Sequence, residues 1–482
     1  MTSLLRLLVH GLAQMPSGIR LAVSGASLDP VRALITAYGL DGRIREVDVP
    51  SDHSRPLDSH QEILESFSNP PPNDLNIRLA DAPLDRMPTI AELVEATAAS
   101  SSEEPGASPE KGLEGERVAV ITNIPNHYRV PLFNALARDL ESAGSSLIVL
   151  FLGRTYGRRS WVDVPDLDFE HIFLSSVGVK LSRAWHPFIP RDLEKTLRRV
   201  KPSIVVCAGF SPLVAGRALR STHKLGAKFL LWSGETSTGI TGSNRLRKLQ
   251  RRRLLARVDA ALSYGSRAED YLLALRPDVP VIHARNTTPV ISAGKPAAET
   301  GRPIRLLSVA EARAGKRLDL VIDAAANCMD LDWRLTIVGD GPIRESLEER
   351  ARKLGERVTF TGAIPSSRVL EHYRESDVFL FPSEIDVFGL VVVEALGSGL
   401  CTIVSRAPGA TADLCAHERN SLVVPEQTIE AWARHLRIAI TDSAKRSALS
   451  AAARRTITNR WTIEHSARAF IAGLRAAKGT SQ

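Results

Sequence analysis

Short apolar runs, each bounded by turn residues and followed by a stretch with helical spacing, dominate this chain from about Glu116 onward. ERVAVITNI, SLIVLFLG, PSIVVCAGF and AKFLLWSG form one series. IRLLSVA, WRLTIVGDG, RVTFTG, DVFLFPS and CTIVS form a second. Runs this short and this apolar read as strands buried on both faces. Alternation with helices predicts parallel sheets covered by helices on each side. The series restarts near Arg302. The expected fold is therefore α/β, with two Rossmann-like domains facing a cleft; one large sheet is the alternative. Ligands of such sheets sit beyond the carboxyl ends of the strands.

The 482 residues give room for two or three domains. The expected division is an N-terminal αβ segment (1–97), a linker (98–115), a first domain (116–295), a second domain (296–455) and a C-terminal helix (456–482) that crosses back. SSSEEPGASPEKG, Ser100 to Gly112, is small, polar and unable to build a core. SNPPPNDLN, Ser68 to Asn76, is a further break. Within the N-terminal segment, Arg20 to Ile44 resembles Arg334 to Val358. Both read strand, Gly turn, helix, Gly, strand, although two αβ units can also be alike by chance.

Composition excludes little. The apolar share is 44% and the charged share 24%, ordinary for a globular protein. Cys207, Cys328, Cys401 and Cys415 are scattered without metal-ligand spacing, and read as small buried hydrophobes. No apolar run reaches the ~18 residues of a membrane span. MTSLLRLLVHGLAQM, broken by Arg6 and His10, does not read as a signal peptide. A cytoplasmic protein, peripheral on the inner face of the cell membrane, is the expectation. The formal charge of +8 favours anionic partners. RLRKLQRRRLLAR, Arg245 to Arg257, is a candidate for an anionic membrane surface, or a solvated helix with one buried stripe. Nucleic acid is not expected, because no aromatic platform accompanies the charge.

The chemistry concentrates in PSEIDVFGLVVVEALGSG, Pro382 to Gly399. A strand should end near Ser383 and a helix begin near Gly389. Asp386 then lies in the loop, and Glu394 about a turn and a half into the helix. Backbone N–H groups at the helix start attract phosphate, and glycine permits close approach. A carboxylate on each side can accept hydrogen bonds from sugar hydroxyls. One ligand suits the set: a sugar joined to a nucleoside by a diphosphate.

This block resembles the E-x7-E signature of the family 4 retaining glycosyltransferases, which have the GT-B fold. The segments around it, from about Leu306 to Val424, occur in that family's order. NIPNHYRVPLFNALA, FLLWSGET and SYGSRAEDYLLAL are similar to a bacterial branch. The resemblance implies a metal-independent transferase with a nucleotide-diphospho-sugar as donor substrate and no cofactor. It implies that Glu394 holds the ribose and that Asp386 contacts the transferred sugar. Backbone at Phe388, Gly389 and Leu390 lines the sugar and diphosphate. Lys316, in LSVAEARAGKRLDLVIDA, stands where the family has a phosphate-binding lysine. Gly339 ends a strand beside the nucleotide, and Ile364 lies near the base. The acceptor implied is a saccharide or a lipid-linked molecule of the cell envelope or an exopolysaccharide.

Three departures stand out. The family's Gly-Arg pair is Ala310-Glu311, and Arg313 is the candidate replacement cation. The first acidic position is Asp386, which changes the reach by about 1.5 Å. A frequent family His near the sugar is replaced by WSGET, offering Glu235, whose other reading is a helix N-terminal residue. His127, Tyr128 and Arg129, after the first strand, are candidates for the acceptor or for turn packing. Trp161, Trp185 and Trp232 read as core. A non-catalytic sugar-nucleotide-binding protein and a nucleotide-sugar epimerase are the competing functions.

Overall fold

The computed structural model describes residues 112–154, 166–178, 188–237, 245–289 and 301–479, with three short strands before them. Those strands are β1 (Leu21–Ser24), β2 (Ile44–Glu46) and β3 (Leu75–Arg78), parallel in the order β2-β1-β3. Most of the expected linker, and Trp161 and Trp185, lie outside the described residues.

The first domain contains β4 (Arg117–Thr122), α1 (Val130–Ser142), β5 (Ser146–Phe151), β6 (Glu170–Phe173), β7 (Ser176–Gly178), β8 (Phe188–Pro190), α2 (Leu193–Val200) and β9 (Ile204–Ala208). It continues through α3 (Ala215–Lys224), β10 (Lys228–Ser233), α4 (Arg245–Leu255), β11 (Ala260–Ser263), α5 (Ser266–Leu275) and β12 (Val281–His283). Its main sheet is parallel, in the order β12-β11-β10-β9-β4-β5-β6. Alternate residues of each strand serve opposite faces, as the two-residue period requires. Val118, Val120 and Trp232 join one core layer, whereas Ala119, Ile121 and Phe229 join the other.

The second domain contains β13 (Ile304–Val309), a 3₁₀ turn (Ala314–Lys316), α6 (Leu318–Ala326), β14 (Trp333–Val338), α7 (Arg344–Ala351), β15 (Val358–Gly362), α8 (Ser366–Glu375) and β16 (Val378–Phe381). It continues through α9 (Leu390–Gly397), β17 (Cys401–Ser405), α10 (Gly409–Leu414), β18 (Leu422–Val424), α11 (Ile429–Thr441) and α12 (Ser443–Arg460). Its sheet is also parallel, ordered β15-β14-β13-β16-β17-β18. The two expected domains are thus two sheets, not one.

The last helix, α13 (Ile463–Gly479), leaves the second domain and packs in the first. Its apolar face meets β10, β11 and β12, and a Cβ on Gly473 would stand 2.3 Å from Leu262. Trp461 pins the crossing. Its indole N–H donates to the Asn286 carbonyl, and the Thr287 hydroxyl donates to the Trp461 carbonyl at 2.6 Å.

The internal repeat has a structural counterpart. Its alignment sets Leu21 on Leu335 and Ile44 on Val358. Leu21 pairs with Ile44 across β1 and β2, and Leu335 pairs with Val358 across β14 and β15. All four cysteines are buried, and burial pushes the Cys207 and Cys415 thiols up to about 12. No helix among the described residues is long and apolar enough to cross a membrane.

Candidate active site

The carboxyl ends of the two sheets face each other, and direct bonds join them. Asp413 of α10 has a fully buried side chain. Its carboxylate accepts from the Ser266 N–H at the start of α5, at 3.1 and 3.2 Å. Arg267 donates to the carbonyls of Ala407 and Arg406. A side chain on Gly265 would collide with Asp413 and with the Phe388 ring.

Between these ends lies the loop from β16 to α9. Asp386 accepts from the Phe388 N–H at 3.2 Å, an Asx-type turn that bends the loop toward the helix. Its other carboxylate oxygen pairs with Lys316, delivered by the 3₁₀ turn after β13. The two side chains are only 13% and 19% exposed, so solvent screens the pair weakly. The Lys316 ammonium also lies 5.3 Å from the Phe381 ring centroid. Backbone stitches bring the two loops together: the Glu384 N–H donates to the Gly315 carbonyl at 3.0 Å, and Arg317 pairs with Glu384.

Gly389 turns the chain into α9 with φ +90 and ψ 63, in the left-handed region that side chains disfavour. The first N–H groups of α9 follow it, and that of Val392 donates to the Gly389 carbonyl at 2.9 Å. Leu390 opens the helix and is partly buried. Phe388 is buried and stacks on Trp461, with rings 6.3 Å apart and 9° from parallel. Glu394, the fifth residue of α9, accepts from the Tyr373 hydroxyl at 2.9 Å. Burial pushes its carboxyl up to about 7, and that hydrogen bond pulls it down.

Gly339 follows β14 at φ +131, and a Cβ there would stand 2.0 Å from the Ala310 carbonyl oxygen. Ile364 packs partly buried against the core layer that also holds Phe388 and Val338. Arg313 turns to Glu311 at 3.2 Å, with both side chains substantially exposed.

The first domain contributes an aromatic cluster. Arg129 is buried, lies 3.7 Å from the Trp232 ring centroid and donates to the Tyr264 hydroxyl. Its Nη1 has no hydrogen-bond partner among the described residues. His127 and Tyr128 are half-buried, with their rings edge to face at 5.3 Å. Trp232 is core, as expected. Glu235 pairs with Arg251 of α4 at 3.2 Å. Arg251 is itself buried, donates to the Tyr271 hydroxyl at 2.6 Å and stacks over Phe210. The basic helix is therefore tied inward through Arg251 and Leu255, while Leu246 and Leu249 are exposed.

The structure brings Lys316, on the turn after β13, against the loop and helix start that carry Asp386, Phe388, Gly389, Leu390 and Glu394. It engages Glu235 and Arg313 in ion pairs with Arg251 and Glu311. Sequence reading missed Tyr264, Tyr373, Asp413 and Trp461. Each sits on an apolar stripe or short turn, where only the partner reveals the role.

The family described as Glycosyl transferases group 1 matches residues 294–456. That match covers 163 of the 482 residues. The sulfoquinovosyl transferase SQD2 of Arabidopsis thaliana is 34% identical over 111 residues, 23% of this chain and 21% of the relative. A GDP-mannose-dependent alpha-(1-6)-phosphatidylinositol monomannoside mannosyltransferase of Mycobacterium tuberculosis is 29% identical over 136 residues, 26% of this chain and 35% of the relative. A D-inositol 3-phosphate glycosyltransferase of Rhodococcus opacus is 32% identical over 173 residues, 34% and 38% of the two chains. The chain therefore spans only 21% to 38% of these curated relatives' length.

In fold, the chain is similar to a glycosyltransferase from Rickettsia africae, with TM-score 0.60, 16% identity, and 76% and 99% of the two chains covered. It is also similar to Anabaena HepE, solved in complex with UDP and glucose, with TM-score 0.55, 13% identity, and 72% and 96% covered. The fold is GT-B, and the three-stranded sheet β2-β1-β3 stands in addition to its two sheets.

Proposed function

We propose that this protein transfers a sugar from a nucleotide-diphospho-sugar to an acceptor hydroxyl, with retention of anomeric configuration. The observation that carries this reading is the Lys316–Asp386 pair at the start of α9, with Glu394 behind it on the same helix. In the free protein the two charges satisfy each other. A donor diphosphate at the N-terminus of α9 competes with Asp386 for Lys316. Lys316 then neutralises the charge that develops on the leaving diphosphate as the glycosidic bond breaks. Asp386, released, accepts hydrogen bonds from the sugar hydroxyls. Glu394 accepts from the ribose, Gly339 leaves room beside the nucleotide, and Ile364 borders the base. The donor charge is met by Lys316 and the helix N-terminus, without a metal ion.

The acceptor enters from the first domain, where His127, Tyr128 and Arg129 follow β4 and Glu235 follows β10. Binding of donor and acceptor across the cleft makes the attack effectively unimolecular. Relatives named for phosphatidylinositol mannosides and sulfoquinovosyl transfer support a glycolipid or cell-envelope acceptor. The exposed Leu246 and Leu249, set among Arg245, Arg247, Lys248, Arg252 and Arg253, support peripheral contact of α4 with an anionic membrane from the cytoplasmic side. Sedimentation with vesicles containing acidic lipid tests that contact. No recovery in the pellet at low salt overturns it.

The deciding experiment is calorimetric titration with UDP, GDP and ADP, for the native protein and Glu394→Ala. Binding of one nucleotide, lost in the variant, is expected. No binding of any of the three refutes the donor site. A second reading rests on Glu311, which stands where the family has an arginine and pairs with Arg313. In that reading the protein binds sugar nucleotide without transfer. Bound donor with neither transfer nor hydrolysis would favour it.

A further inference from the structure

Glu394 is the residue on which the donor reading most depends, and its carboxylate is unusually placed. It lies beyond the first turn of α9, so the free helix N–H groups do not reach it. Among the described residues, its one hydrogen-bond donor is the Tyr373 hydroxyl, at 2.9 Å from Oε2. Tyr373 comes from α8, on a different segment, and its side chain is wholly buried. The ring is held against Phe379, with centroids 5.7 Å apart, so the hydroxyl has a fixed direction. It also lies 3.4 Å from the Val391 carbonyl, a secondary acceptor.

We propose that Tyr373 is a positioning residue: its hydroxyl fixes Oε2 of Glu394 and leaves Oε1 to accept the two hydroxyls of a ribose vicinal diol. The inference rests on the donor reading of Glu394. A carboxylate offers about four acceptor positions, so one bond to tyrosine leaves enough for a diol. A free glutamate side chain would lose rotamer freedom on binding, and a carboxylate already tied down does not. Buried acids favour the neutral form, and a hydrogen bond from a neutral hydroxyl opposes that. Packing against α9 are β17, α10 and α12, yet no charged side chain among the described residues acts on the Glu394 titration. Tyr373 is the group that does.

The test is nucleotide titration of the native protein, Tyr373→Phe and Glu394→Gln between about pH 6 and pH 9, with the nucleotide that binds the native protein. The substitution Tyr373→Phe keeps the ring and its packing. Its expected effect is roughly a tenfold loss of affinity near pH 7, the size of a lost bond to a charged group. The pH midpoint of binding should also move upward, and part of the loss should recover at high pH. An unchanged affinity and midpoint overturn the proposal. So does a fall in stability alone, with the binding profile unmoved, because that is a packing role. A second measurement needs no ligand: the ¹³C carboxyl titration of Glu394 should move upward in Tyr373→Phe. If the native protein binds no nucleotide, the donor reading fails, whereas this titration still decides whether Tyr373 controls Glu394. No shift there overturns the proposal by itself.

Discussion

Gly389→Ala isolates what the loop geometry contributes. Gly389 sits at φ +90, where an L side chain costs about 1–2 kcal/mol. Its added methyl would meet the Pro408 Cβ at 3.2 Å and the Phe381 ring at 3.4 Å. The neighbours need to yield by only a few tenths of an ångström, so backbone strain dominates and the expected cost remains about 1–2 kcal/mol. For a domain of this size, that lowers the melting temperature by roughly 2–8 °C. Relief of the strain would rotate the first N–H groups of α9, so nucleotide affinity should fall about tenfold, the size of one lost bond to a charged group. Gly399 supplies the control. It follows the other end of α9 at φ +69, and its Cβ would meet only ordinary contacts at 3.6 Å or beyond. Gly399→Ala should cost similar stability and leave nucleotide affinity intact. Thermal melts paired with calorimetric titration read both quantities. The reasoning is refuted if Gly389→Ala melts like the native protein, or if Gly399→Ala weakens nucleotide binding as much.

Lys316→Met should abolish most transfer and weaken diphosphate binding, while nucleoside binding changes little; equal losses for UDP and uridine would contradict the phosphate role. Asp413→Ala removes the cap of α5 supplied from the other domain, at a cost of about 1–2 kcal/mol by denaturant unfolding. It should also raise the hydrogen exchange of Ser266. Glu394 has a folded-state pKa raised from 4.5 to about 7, so the native state holds its proton more tightly than the unfolded chain. Its contribution to stability is therefore present at low pH and lost as pH rises from about 4.5 through 7. The stability of Glu394→Gln relative to the native protein should grow across that window and level off above it. A flat difference in melting temperature between pH 5 and 8 would show that the carboxyl is not shifted.

Much of this architecture is local. β4, β5, β10 and β16 are contiguous apolar runs, and parallel strands buried on both faces need that composition. The start of α9 was legible too, because Asp386, Gly389 and Glu394 fall within one short stretch whose loop and helix are set by Gly389 and by the Asx turn. What could not be read were the partners. Lys316 meets Asp386 across 70 residues, and Tyr373 meets Glu394 from another helix. Nothing in the sequence singles out Trp461; in the fold it stacks on Phe388 and ties the chain to Asn286 where it crosses toward α13. Arg313 looked available as a phosphate cation, but Glu311 is two residues away and bends it aside. Sequence alone determined the strand and helix order and the loop that opens α9, because backbone preference and apolar period act over a few residues. Tertiary structure decided which charges are paired, which carboxylate is tied down and how the domains are joined. Those depend on distances between segments that burial of two separate sheets brings together.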